Sequence, residues 1–181
     1  MGLLGRDNPL LGYNFRIALL ESSSSLSLNV ATIALQNLTD SADGGFSECS
    51  GLEMSMEIEE FREGGNNATV LKFPTGIKWN DITLKKGLTL GTELWDWFDG
   101  FVQGRGERKD GVITLHNESQ LPQVAWGFRR GLPIKYTGPT MNATSNEVAI
   151  ESIQIAHEGL YQIKGLGAAA GIVSAIGNAL F

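Results

Sequence analysis

The chain has 181 residues, enough for one domain with a sizeable core. Twenty acidic residues against fourteen basic ones give a formal net charge of −6, which excludes nucleic acid as the main partner, because phosphate binding needs clustered Lys and Arg. A single cysteine, Cys49, excludes an intrachain disulfide framework, and 23 glycines favour turns and bulges over long helices.

The segment Met1 to Leu11 carries Arg6, Asp7, Asn8 and Pro9 inside a short apolar run. It lacks the basic start and apolar stretch of a signal peptide, and none is expected. The Asn-x-Ser/Thr triplets at Asn37, Asn67, Asn117 and Asn142 are then read as coincidences. Tyr13 to Leu20 has the character of a first strand, Ser22 to Ser25 of a loop, and Leu26 to Leu38 of a second strand.

Phe46 to Arg62 alternates over a long stretch. Leu52, Met54, Met56 and Ile58 share one parity, and Glu53, Ser55, Glu57 and Glu59 share the other. A period of two predicts one long strand with a buried apolar face and a wet acidic one. Gly64-Gly65-Asn66-Asn67 suits a loop with positive φ, and Val70 to Asp81 returns as a strand marked by Pro74 and Gly76. The pair reads as a hairpin arm over about 52–81.

Ile82 to Leu88 is another expected strand. Thr92 is a plausible N-cap for a helix over about 93–103, closed by Gly104. Leu94, Trp97, Phe98 and Phe101 fall on one face of it and read as core. Arg105, Arg108 and Lys109, mixed with Glu107 and Asp110, read as a solvated turn. Gly111 to His116 and Val124 to Phe128 form a hairpin, continued by Leu132 to Thr137. Val148 to Ala156 is a last strand whose apolar parity switches near Ser152, which predicts a bulge there. These elements sum to an antiparallel β-sandwich or barrel with one short flanking helix. Leu166 to Phe181 has no charged side chain and is shorter than a bilayer span. It suits a small-residue helix on the body, an assembly contact or a membrane-active segment.

Site chemistry is sparse. His116 and His157 belong to no metal-ligand spacing, and Glu57, Glu59, Glu60 and Glu63 read as a charged strand face rather than a catalytic pair. The glycines at 165, 167 and 171 miss the dinucleotide fingerprint in spacing and lack its later acid. No cofactor, metal site or enzymatic activity is expected. Strands without such chemistry favour an assembly protein, in which repeated head-to-tail contacts satisfy the sheet edges.

Two segments carry a more specific signal. They are Glu60-Phe61-Arg62-Glu63-Gly64-Gly65-Asn66-Asn67 and the run from Asn142 to Leu160, which includes Ser145, Asn146 and Glu147. With Asn14-Phe15-Arg16, Gly45 to Glu48, Ser50-Gly51-Leu52, Ile82 to Gly87 and Leu94 to Trp97, they lie in the same order as in the inner tail-tube proteins of contractile-tailed phages and extracellular contractile injection systems. The chain resembles that family over most of Tyr13 to Leu160.

The resemblance implies two packed sheets with a flanking helix, assembled into a hexameric ring whose strands form a continuous inner β-barrel. It implies that rings stack into a tube inside a contractile sheath, assembled in the cytoplasm and then carried in a phage-tail-like particle. Implied partners are other copies of the chain, the sheath protein, baseplate or hub proteins, and lumenal cargo effectors. Specific nucleic acid is not among them, and membrane contact is confined to the C-terminal tail. Glu60, Arg62, Gly64, Gly65, Asn66, Asn67, Asn142, Ser145, Asn146 and Glu147 are the candidate assembly residues. Glu53, Glu57 and Glu59 are candidate lumen- or solvent-facing acids. The tube-like domain spans 1–160, with an insertion-like segment at 22–43 and an apolar extension at 161–181. Both additions also suit a tube initiator or baseplate-proximal ring. A different class, a monomeric β-sandwich ligand-binding module, would use Trp79, Trp95, Trp97 and Trp126 as platforms.

Overall fold

The computed structural model describes residues 11–22, 45–62, 64, 69–120, 122–144 and 146–163. The strand expected at Leu26 to Leu38, the loop residues Gly65, Asn66, Asn67 and Ser145, and the tail from Leu166 lie outside the described residues. The described chain forms β1 (Phe15–Glu21), β2 (Phe46–Ser50), β3 (Met54–Phe61), β4 (Leu71–Trp79), β5 (Ile82–Gly87), α1 (Glu93–Val102), β6 (Lys109–His116), β7 (Pro122–Thr137), β8 (Ile150–Ala156) and β9 (Leu160–Ile163).

All pairings are antiparallel, and the 16-residue β7 joins two sheets. Its first half pairs with β6 and β9, and β1 pairs with β6 on the far side. Its second half pairs with β8, which continues to β5 and then β2. The change of sheet falls near Arg130, whose φ of 50° bends the strand. The sheets close over one core. Ile17, Ile113, Phe128 and Leu160 come from the first, Ile82, Leu84, Ile153 and Ile155 from the second, and Leu94 and Trp97 from α1. This is the antiparallel sandwich with one flanking helix that alternation predicts.

The first sheet is apolar on both parities. Ala18, Val112, Ala125 and Ile163 make a second cluster opposite the main core, with Leu20 and Tyr161 against it. The expected last strand, β8, is followed by a further one, β9, so the body runs three residues past the expected end at 160, and Tyr161 to Ile163 pair with Gly127 to Ala125. Deleting residues 161–181 should cost roughly 2–4 kcal/mol, because it removes a buried Ile, its aromatic neighbour and part of a ladder. A chain that ends at Ile163 keeps β9. Urea melts of the two truncations check this; equal midpoints would count against it.

On α1, Leu94 and Trp97 are buried, and Phe98 and Phe101 are half-buried, so the expected face is core. Trp97 donates its Nε1–H to the Glu107 carbonyl at 2.9 Å. Thr92 sits at the N-cap, but its hydroxyl donates to Asp96 Oδ2 rather than accepting a backbone N–H. Gly104 takes a φ of 72° just past the helix end.

Four expectations change. The long strand from Phe46 to Arg62 is two strands, β2 and β3, broken at Gly51, which has a φ of 88°. The apolar parity of β3 is not buried: all eight of its residues are exposed. No bulge falls near Ser152, because Glu151, Ile153 and Ile155 all point inward from a regular β8. The bulge is on β7, between Pro133 and Lys135, and the inward Glu151 accepts a hydrogen bond from the Tyr136 hydroxyl at 2.8 Å. Burial first, then that carboxylate, pushes the Tyr136 phenol up to about 12. Finally, Lys109 and Asp110 belong to β6 rather than to a solvated turn. Asp110 Oδ1 accepts from the Ser22 hydroxyl and the Arg130 N–H, tying β1 to the bend of β7.

His116 is buried at 3% exposure, with no partner for Nδ1. Burial, then the nearby Arg16, lowers its pKa from 6.5. The folded state thus favours the neutral ring. Below about pH 6.5 the unfolded chain takes up the proton more readily, so stability is full above that pH and is lost as pH falls. His116→Leu should flatten this dependence between pH 6.5 and the onset of carboxylate titration. Denaturation midpoints at several pH values measure it; an unchanged slope would exclude His116 as the cause.

Candidate assembly surfaces

β3 and β4 form a separate two-stranded sheet, the expected hairpin arm. Gly51 fixes its root. A Cβ there would sit 2.0 Å from the Asp81 carbonyl oxygen, so only glycine allows β2 to pass this close to the β4–β5 turn. The Glu53 N–H donates to the Gly51 carbonyl, and the Asn80 N–H donates to the Glu53 carbonyl. The Asn80 side-chain amide also donates to Glu53 Oε2. His157 then reaches the Asn80 carbonyl through Nε2 at 3.0 Å. A carbonyl only accepts, so Nε2 carries the proton. The His157 ring lies 6.3 Å from Trp79 and 6.0 Å from Phe128, which links the arm root to the core. Sequence reading gave His157 no part in this latch, because its partner is 77 residues away.

Beyond the root, every residue from Met54 to Phe61 and from Leu71 to Lys78 is exposed. Glu60 pairs with Lys72 at 3.4 Å, and Arg62 and Gly64 are exposed near the end of the arm. Glu57 and Glu59 are exposed on the arm, opposite in parity to Met54, Met56 and Ile58. Glu53 differs from them, since it precedes β3 and holds Asn80.

The second group of predicted residues lies elsewhere. Asn142, Asn146 and Glu147 are exposed in the loop before β8, and Asn142 Oδ1 accepts from the Thr144 N–H and hydroxyl. β8 starts beside Gly87 and ends beside Ile82, whereas the arm root lies at Asn80. The structure therefore puts the loop that carries the second group and the root of the arm that carries the first at opposite ends of the second sheet, about 20 Å apart for a six-residue strand. An apolar patch accompanies the loop: Leu88, Leu90, Val148 and Ile150 are all exposed.

The four tryptophans share no surface. Trp97 is buried, Trp79 and Trp126 pack against the core, and Trp95 stands edge-on to Tyr136 at 5.2 Å. A cleft of about 340 Å³ opens between β1, β2 and α1. At its wall the buried Lys86 meets Glu93 at 3.0 Å and lies 6.0 Å from the Phe46 ring. Lys86 shares the inward parity of Ile82 and Leu84, a position that alternation would assign to an apolar residue. Cys49 is half-buried in β2, and burial, then Glu48, pushes its thiol up to about 11, away from thiolate reactivity. Among the described residues, no three of His, Cys, Asp or Glu converge on a metal-sized site, and no helix is long and apolar enough to cross a membrane.

This architecture is shared with solved structures. A chain of the PVC sheath–tube complex in the extended state, from an extracellular contractile injection system, is 25% identical, covers 88% of this chain and 95% of its own, and superposes with a TM-score of 0.70. A chain of the PVC sheath/tube terminator in the extended state is 26% identical, with 87% and 98% covered and a TM-score of 0.69. A chain of the anti-feeding prophage tube-terminating cap is 24% identical, with 91% and 97% covered and a TM-score of 0.72. No curated protein sequence matches significantly. Residues 13–161 match the family of the T4-like virus tail tube protein gp19. That match spans most of the chain, both sheets, the helix and the arm, and this protein belongs to the gp19 tail tube family.

Proposed function

We propose that this tail tube protein builds the inner tube of a phage-tail-like contractile injection system. Six copies close a ring, rings stack, and a contractile sheath surrounds the tube. A baseplate or hub caps one end. Sheath contraction drives the tube into its target with cargo in the lumen. The particle is extracellular at the point of use, after assembly in the cytoplasm.

The observation that carries this reading is the arm. Isolated two-stranded hairpins are marginal in water and need a covering surface. This one exposes Met54, Met56, Ile77 and Phe73, each more than half accessible, outside the body of its own chain. Copies of the chain that cover the arm explain its composition. Glu57 and Glu59 then face the lumen or solvent, and six copies carry about −36 per ring, a field that repels acidic cargo and nucleic acid from the wall. An initiator or baseplate-proximal ring of the same machine is the alternative position, since chains of a baseplate and of a sheath–tube complex superpose on this one with the same TM-score of 0.70. The segments 22–43 and 164–181 are read as additions for contacts specific to this particle, residues 161–163 belonging to β9 of the body, and no catalytic role is assigned to the chain.

Sedimentation of the full-length protein tests the ring. The expected species has six times the monomer mass, or multiples of it. A monomer at every concentration, with a ligand found in a carbohydrate or peptide screen, would favour the binding-module reading instead.

A further inference from the structure

We infer that the segment from Leu166 to Phe181 docks on the outer face of the first sheet of its own chain, as a helix with its apolar side turned to the sheet. The inference concerns the body of the subunit and stands apart from the tube reading.

The register defines the docking face. Cross-strand partners share a face of a sheet. Ala18 lies opposite Val112, Val112 opposite Gly127, and Gly127 opposite Tyr161. A second row, Arg16, Thr114, Ala125 and Ile163, crosses the same four strands beside it. Both rows point away from the main core, which takes Ile17, Ile113 and Phe128 from the other parity. Small side chains make this face shallow. A Cβ at Gly127 would lie 2.2 Å from the Tyr161 ring, which therefore rests directly on β7.

The face is buried like an interior one. The four outward residues of β6, Asp110, Val112, Thr114 and His116, have exposures of 5%, 4%, 4% and 3%. The second sheet and α1 cannot cause this, because they contribute to the core on the opposite side. Among the described residues, the apolar side chains packed against this cluster are Leu20 and Tyr161, and both come from the sheet itself. Burial with no second layer points to further chain over the face.

Continuity selects the occupant. β9 ends at Ile163, inside the second row, so the residues that follow start on the rim of the face. Gly165 and Gly167 supply the backbone freedom for a reversal there. From Leu166 onward no side chain is charged, so burial on an apolar floor strands no ion. Leu166, Ala169, Ile172, Val173, Ile176 and Leu180 share one side at helical spacing, and Gly167, Gly171, Ser174 and Asn178 share the other. A helix of this length measures about 24 Å, against about 27 Å for the eight-residue β6 beneath it. The segment between β1 and β2 fits less well, since both strands it joins line the cleft beside α1, on the side away from β9. A docked tail engages its apolar side on its own subunit. Its uncharged, small-residue side is then the one left for the particle-specific contacts proposed above.

Disulfide trapping in the full-length chain, with Cys49→Ser, tests the docking. One cysteine goes on the sheet, as Ala18→Cys or Ala125→Cys. The other goes on the apolar side of the tail, as Ala169→Cys, Val173→Cys or Ile176→Cys, or on its opposite side, as Ser174→Cys or Asn178→Cys. Thr83→Cys, on the outward parity of β5 in the second sheet, replaces the sheet cysteine to measure what tethering alone produces. Non-reducing mass spectrometry reads which bonds form and whether they lie within one chain, and melts verify folding. The expected result is a bond within one chain from an apolar-side position to the first sheet. It should form about ten-fold or more faster than bonds from Ser174→Cys, Asn178→Cys or any pair with Thr83→Cys. Equal rates from both sides of the tail, equal rates with the control, or no bond at all would overturn the docking. Bonds found only between chains would overturn it as well and assign the face to a second copy. Either sheet position carries the test alone if the other unfolds the chain. Ring formation does not enter the readout, so a failure of the tube reading leaves this result standing.

Discussion

Gly51→Ala should lower the stability of this protein by about 3 kcal/mol or more, a fall in melting temperature of roughly 6–12 °C. Two costs add. A φ of 88° is left-handed backbone, which an alanine adopts at about 1–2 kcal/mol. The new Cβ would also meet the Asp81 carbonyl oxygen at 2.0 Å and Ile82 Cα at 3.1 Å. Neither is a flexible side-chain end that can swing aside. Relief requires the start of β5 to move, and Ile82 is wholly buried in the main core. The arm root shares this backbone, so the surviving folded protein should also assemble poorly. Gly64→Ala is the matched control: nothing lies within 4 Å of its Cβ position, and its φ is not left-handed. Melts and sedimentation of both variants decide the matter. Equal melting temperatures would show that the close approach at Gly51 is not a structural requirement.

Phe128→Ala should cost about 4 kcal/mol, the largest effect of any single truncation in the core. The ring has no exposure and sits in β7 just before the bend that carries the strand from one sheet to the other. Two glycines make room for it. A Cβ at Gly111 would lie 2.2 Å from the ring, and one at Gly131 would lie 2.7 Å from it. Removing the ring leaves a cavity between the sheets that the paired backbones of β6 and β7 cannot collapse to fill. A double-mutant cycle gives the sharper test. Gly111→Ala alone should destabilise by overpacking, but in the Phe128→Ala background that clash is gone. The pair should therefore be markedly less destabilising than the sum of the singles. Strict additivity in guanidinium denaturation would contradict the packing described here.

Alternation located β1, β5 and β8, and the helical spacing of Leu94, Trp97, Phe98 and Phe101 located α1, because in each an apolar stripe meets the chain's own core. The same rule misplaced β3. Met54, Met56 and Ile58 alternate as a buried strand does, yet no surface of the described chain covers them. A periodic pattern records that a face is to be buried; it does not record which molecule buries it. Gly51 was visible as a residue but not as a break, since a glycine within an alternating run signals a bend only once the facing backbone is known. Glu151 misled in another way. A carboxylate on the inward parity looked like a register shift, when a hydroxyl from β7 satisfies it. Lys86 is likewise an inward charge, satisfied by Glu93. The two groups of candidate assembly residues were named only through family resemblance, and it is the pairing of β5 with β8 that puts the loop before β8 at the opposite end of the second sheet from the arm root.

Negative-stain electron microscopy of the full-length protein at high concentration tests the central claim most directly. Six-fold rings, alone or stacked into tubes with a central channel, are the predicted result. Uniform small particles of monomer size at every concentration, with no rings, would contradict it.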